Sequence, residues 1–381
     1  MAKYVHGLII LLLLVGAFSW SQSVSDVPIE IDAPVHPMPV KANGKVHLLY
    51  ELHLTNLRAM GLEVTRLEVS DGAVGKLAEY TGPELASLIG NPGASADATG
   101  NQVIGGGTRA VMFLDVTFQS PASIPQKLIH RLCFRTQSVD AQDKCIDDVF
   151  VSVHLSPAIV LSPPLRGEGW IALNGLSNTA GHRRTLVVVN GKMHMAQRFA
   201  TDWSRVGSDG LAFRGDPGNT ANWSPYGAEV LAVADAVAVD VKDGIPDNNP
   251  AADKKAIPIT LETVGGNYVI LDLRNGFYAF YAHLKPKSIR VKVGDKVHRG
   301  EVLALLGNSG NSDAPHLHFH VTDGNSPLGA EGVPFVFESF EQQGFLSSKS
   351  QLISGGWKPD PKNITKVQNE MPADNAVVRF P

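Results

Sequence analysis

The chain of 381 residues is predicted to be all-β: a β-sandwich-like domain followed by a second β domain. Three observations predict this. Short runs in which β-branched and aromatic residues alternate with polar ones recur along most of the chain, the period of a half-buried strand. Turn signals such as Asn43-Gly44 and Asn190-Gly191 separate them. The length exceeds what one core usually organises, which makes two domains the default.

Taken in order, Lys3, the apolar run Leu8 to Phe18 and the small residues Ser19 and Ser21 have the layout of a secretory signal peptide. Residues 1–22 are expected to be removed near Ser21 or Ser23, and no later segment is apolar enough to span a bilayer. Residues 24–160 hold VPIEI, VHLLYELHLTNL, LEVTRLEV, AVMFLDVTF and DDVFVSVHLSP, read as strands of an antiparallel sandwich. Gly75 to Ile89 suits a short helix. His47, His53 and His130 are scattered and read as strand histidines, so this domain is expected to be an accessory module, a possible site for a partner protein. Cys133 and Cys145, the only cysteines, are placed to staple a hairpin in an oxidising compartment, worth about 3 kcal/mol.

LSPPLRGEG, with two prolines and two glycines, leads into a second domain at 161–340. TLVVV, EVLAVADAVAVDV, YVILDL, FYAFYAHL, IRVKV and EVLALLG read as its strands, and the polar stretch Lys242 to Ala256 as a surface loop. Residues 341–381 read as an extended tail whose AVVRF segment adds a strand to a domain edge. With 33 Lys+Arg against 37 Asp+Glu, a net charge of -4, no basic surface is available for nucleic acid.

Chemistry concentrates in GNSGNSDAPHLHFH, residues 307–320. Residues two apart on a strand share a face, so His316, His318 and His320 would form one row behind a glycine-rich loop. One can bind a metal while a neighbour roughly 6 to 7 Å along the strand reaches a substrate or water. A hydrolytic zinc site needs three protein ligands and an open position. Upstream, GHRRTLVVVNGKMHMAQRFATDW supplies His182, His194 and Asp202. The Asn190-Gly191 turn pairs Val189 with Lys192 and, with the register carried down, sets His182 opposite Phe199, about 10 Å from Asp202. His194, eight residues before Asp202, would be ~26 Å away along an extended strand. His182 is therefore the expected ligand beside Asp202 and His318, with His194 as the alternative. His283 and His316 are expected to do acid-base or oxyanion work, and His298 to be solvated.

GNSGNSDAPHLHFH, YAHLKPKSIRVKVGDKVHRGEVLALLG and QRFATDW together resemble the M23 family of zinc metallopeptidases, the lysostaphin- or LytM-type peptidoglycan endopeptidases, over roughly Trp170 to Phe335. The resemblance implies an antiparallel β fold with an open groove and Zn2+ on His318, Asp202 and an upstream histidine. It also implies that His316 and His283 act at the scissile amide. The chain departs from the family pattern at Arg198, which stands four residues after His194 where the family has its aspartate. It departs again at His320, where an acidic residue is common, and at Ala236, where many members have glycine. The expected function is a secreted, periplasmic or cell-envelope zinc endopeptidase acting on peptidoglycan stems or cross-bridges. The alternative is a non-catalytic relative that binds cell wall or activates a partner hydrolase.

Overall fold

The computed structural model describes residues 27–72, 75–93, 101–136 and 141–381; the expected signal peptide lies outside them. The fold is nearly all β, as the alternating runs predict.

The N-terminal domain stacks two five-stranded antiparallel sheets. One is built on the long strands Lys45–Asn56 and Arg109–Phe118, the other on Leu62–Ser70 and Lys127–Thr136. Leu48, Tyr50, Leu52, Met112 and Leu114 of the first sheet meet Val64, Leu67, Leu132 and Phe134 of the second in one buried cluster. This is the sandwich the alternation calls for: every second residue faces inward. The helix occupies only Gly82–Leu88, with proline in its first turn, while Lys76–Thr81 pairs as a strand. Cys133 and Cys145 face each other across adjacent strands and are disulfide-bonded, with Cα atoms 4.0 Å apart.

The rest of the chain is built on an eleven-stranded sheet, with two separate two-stranded sheets beside it among the described residues. Across its middle run Gly167–Leu173, Thr201–Arg205, Leu317–Thr322, Tyr278–Leu284 and Asn267–Asp272, each antiparallel to the next. Leu317, Phe319 and Val321 point into a core that also holds Trp203 and Tyr281. His318 and His320, in the alternate positions, therefore face the opposite side.

The C-terminal residues join this sheet. Thr365–Glu370 pairs with Phe335–Phe345, and Ala376–Phe380 lies between Phe335–Phe345 and Gly167–Leu173. That last strand is interior to the sheet, with a partner on each side, where an edge position was expected. AVVRF buries Ala376, Val377, Val378 and Phe380, an apolar content that suits a strand covered on both faces. The two parts of the chain share a core as well: Val40, Ala42 and Leu49 pack with Phe335, Phe337 and Phe380.

Candidate metal centre

Strand register brings the first two groups together. Asp202 lies directly opposite His318 on the neighbouring strand, and His318 lies opposite Ala282 on its other side. The Asp202 carboxylate reaches His318 Nδ1 at 2.9 Å through Oδ1 and His182 Nε2 at 2.8 Å through Oδ2. One donor atom from each of His182, Asp202 and His318 lies within 4.8 Å of the others. Two imidazole nitrogens and a carboxylate are a donor set suited to zinc, so these residues fit the metal that the motifs imply. Asn174 Nδ2 donates to Asp202 Oδ2 at 2.9 Å and holds the carboxylate from behind.

His182 gets there by a route the register argument does not describe. Val189 does pair with Lys192, but the hairpin ends after Val187 and His194. His182 belongs to a short 3-10 turn, His182–Arg184, and residues between His194 and Thr201 form turns. No strand sets His182 against Phe199; a loop delivers it to Asp202. His194 faces away, with Nδ1 3.2 Å from Glu331 Oε1. Arg198 is also turned away from the site, paired with Glu51 and Glu331.

His283 and His316 flank these donors, with ring centroids 4.8 Å apart and His283 5.9 Å from His318. His283 sits at φ +63°, in left-handed backbone that histidine enters more readily than most non-glycine residues. The strand is bulged there: register slips between Asn267 and Val269, which re-aims the side chain at the strand end. Its Nδ1–H donates to the Ser309 carbonyl at 2.8 Å, leaving Nε2 as an acceptor. Burial holds its pKa well below 6.5, with His316 and His318 adding to the effect. His316 donates from Nδ1 to the Ala314 carbonyl at 2.8 Å and sets Nε2 3.4 Å from Asp202 Oδ1. Burial works against its charged form, but the Asp202 carboxylate outweighs it and raises the pKa. Environment thus separates the two histidines, one held neutral and one favoured as the cation, a division typical of acid-base sites.

Of the row expected along the H-x-H stretch, His318 and His320 lie on the strand Leu317–Thr322, and His316 immediately precedes it. His320 lies beside His318, with His318 Nε2 2.8 Å from His320 Nδ1, and is fully buried against Phe280. It contacts His318 through the ring nitrogen opposite the one that meets Asp202. His298, by contrast, has an 89% exposed side chain near Asp235. A cavity of about 60 Å3 opens on His283 and His318, walled by Val264, Phe280, Asn311, Pro327 and Leu328.

Several supporting residues carry no signal at the level of motif. Asn248, in the loop read as solvated, is 3% exposed, and its amide lies within 2.9 Å of the carbonyls of Asn308, Gly310 and Ser312. Ser312 Oγ in turn lies 3.2 Å from His316 Nδ1. Gly266 and Gly310, both at positive φ, let this loop press onto its neighbour: a Cβ on Gly310 would sit 2.2 Å from the Gly266 nitrogen. Only glycine fits such an approach.

Residues 223–329 match Peptidase family M23. The peptidoglycan DD-endopeptidase ShyB of Vibrio cholerae serotype O1 is 37% identical over 78 residues, 20% of this chain and 18% of that protein. The peptidoglycan DD-endopeptidase ShyA of the same organism is 33% identical over 106 residues, 28% of this chain and 20% of that protein. The chain thus spans about a fifth of the length of these curated relatives. Among solved structures, the catalytic domain of lysostaphin from Staphylococcus simulans is similar at 24% identity, covering 38% of this chain and 80% of that one with a TM-score of 0.23. The matched segment holds His283, His316, His318 and His320, while His182 and Asp202 precede it. The motifs and this match agree: residues 223–329 of this chain are similar to peptidase family M23.

Proposed function

We propose that this protein is a zinc-dependent endopeptidase that hydrolyses peptide bonds of bacterial peptidoglycan, outside the cytoplasm. The observation that carries the reading is the convergence of His182 Nε2, the Asp202 carboxylate and His318 Nδ1 within 4.8 Å. These three residues would hold the ion. Zinc bound there supplies an activated water and polarises a carbonyl.

The chain's own groups then manage protons. His283, fixed with Nδ1–H on the Ser309 carbonyl, offers Nε2 to take the proton of the attacking water and return it to the leaving amine nitrogen as the C–N bond breaks. His316, with Nδ1–H on the Ala314 carbonyl and Nε2 3.4 Å from Asp202 Oδ1, is placed to donate, when Nε2 is protonated, to the oxygen on which negative charge develops. The products are a free carboxylate and a free amine. Support for the substrate class comes from the relatives named as peptidoglycan endopeptidases, and for an envelope location from the signal-like N-terminus.

Purified peptidoglycan incubated with the zinc-loaded chain is the test. New amine termini that vanish with a chelator, and with Asp202→Ala or His318→Ala, are expected. Absence of hydrolysis with retained cell-wall binding would replace this reading with the non-catalytic one.

A further inference from the structure

We infer that Glu51 of the N-terminal domain is a positioning residue of the metal site, because it clamps together the two segments that deliver His182 and Asp202. The inference rests on the metal-site reading above. Glu51, on strand Lys45–Asn56, is 1% exposed. One carboxylate oxygen is paired with Arg183 Nη1, next in sequence to His182. The other accepts from Arg198 Nη2 at 2.9 Å, and Arg198 Nε lies 3.1 Å from the first. Arg198 precedes the Asp202 strand by one short turn and also donates to the Gly332 carbonyl and to Glu331.

The His182 segment has little internal structure to hold it. Its 3-10 turn is three residues long, and single turns of this kind are weakly stable alone. Most of its anchorage comes from the sandwich. Arg183 Nη2 donates to the Tyr50 carbonyl at 3.0 Å and lies 3.4 Å from that of Leu114. Arg184 Nη2 donates to the Ser87 carbonyl at 2.7 Å, and Asn178 Nδ2 to the Phe113 carbonyl at 2.9 Å. Both arginines also stack near the Phe113 ring, at 5.2 and 5.0 Å. Residues on both sides of His182 are therefore tied to the accessory domain. Charge balances in the cluster, two guanidinium groups against Glu51 and Glu331, which is the condition for burying such a network. Removing Glu51 would leave Arg183 and Arg198 as buried like charges beside one another, free to push the two ligand segments apart.

The test uses the full chain and reads zinc affinity by competition with a chromogenic chelator, together with the visible absorption of the cobalt-substituted protein. Glu51→Gln keeps the shape and removes the charge. It is expected to weaken zinc 10- to 100-fold, the usual cost of losing a group that orients a ligand, and to shift the cobalt bands toward those of His182→Ala. Leu132→Ala, a core change in the far sheet of the same domain, is expected to lower stability and leave both readouts at wild-type values. If Glu51→Gln does not fold, Arg183→Lys, which keeps the charge but cannot span the same acceptors, carries the comparison. Wild-type zinc affinity in these variants, while His182→Ala loses it, would overturn the inference and spare the metal site. Equal weakening by Leu132→Ala would overturn it as general loosening. Failure of the wild-type chain to bind zinc would overturn both readings.

Discussion

Replacing His320 by leucine tests how the proposed site would prepare His318 as a metal ligand. His318 presents Nδ1 toward Asp202, so a lone pair is available there only when the proton sits on Nε2. The acceptor for that proton is His320 Nδ1 at 2.8 Å, in a place where His320 is fully buried. Without it, the competing tautomer, with Nδ1–H donating to Asp202 Oδ1 at 2.9 Å, is favoured and the lone pair is lost. Hydrogen-bond partners that hold the far nitrogen of a metal-binding imidazole are worth 10- to 100-fold in metal affinity, or about 1.4 to 2.7 kcal/mol. His320→Leu should therefore bind zinc that much more weakly in a chelator competition. His320→Glu, which restores an acceptor, should recover most of the loss. The unpaired N–H also costs about 1–3 kcal/mol of stability, so both variants are compared where urea melts show them folded. A folded leucine variant with wild-type zinc affinity would refute the reasoning.

Other outcomes follow from the same structure. His182→Ala should abolish stoichiometric zinc binding, whereas His194→Ala should leave zinc affinity unchanged, since His194 pairs with Glu331; the reverse result in metal analysis would exchange the two ligands. Burial holds His130 down at about 4 against an ordinary 6.5, with its Nδ1 on the Val149 carbonyl. Its folded pKa is depressed, so the neutral form's contribution is intact above pH 6.5 and is lost as pH falls toward 4, by about 3 kcal/mol in all. Urea midpoints measured across that range should fall, and a His130→Gln variant should show a shallower decline; parallel curves would contradict this. Glu51, which burial would raise but Arg198 and Arg183 together lower to about 2, should add a second loss of stability below pH 4.5, absent from Glu51→Gln. Replacing Cys133 and Cys145 by serine opens a loop of sequence separation 12 and should cost roughly 3 kcal/mol, read as a lower urea midpoint than that of the oxidised parent.

Patterns of short range were legible in the amino-acid sequence. The two-residue period of PHLHFH put His318 and His320 on one face because a strand's geometry is the same wherever it occurs. The Asn-Gly dipeptide set the Val189–Lys192 pairing, and the spacing of Cys133 and Cys145 suited a cross-strand staple. Those features depend on covalent geometry and local backbone preference, which act within a few residues. Tertiary structure decided the rest. The hairpin below Asn190-Gly191 stops at His194 because the chain turns there to enter the sheet, so no count of strand steps could place His182; packing of Arg183 and Arg184 on the sandwich does so. Glu51 and Arg198 are 147 residues apart, and Asn248 meets a loop 60 to 64 residues away. A buried charge or amide takes its partner from whatever the fold brings within about 3 Å, and that proximity exists only once both domains have packed.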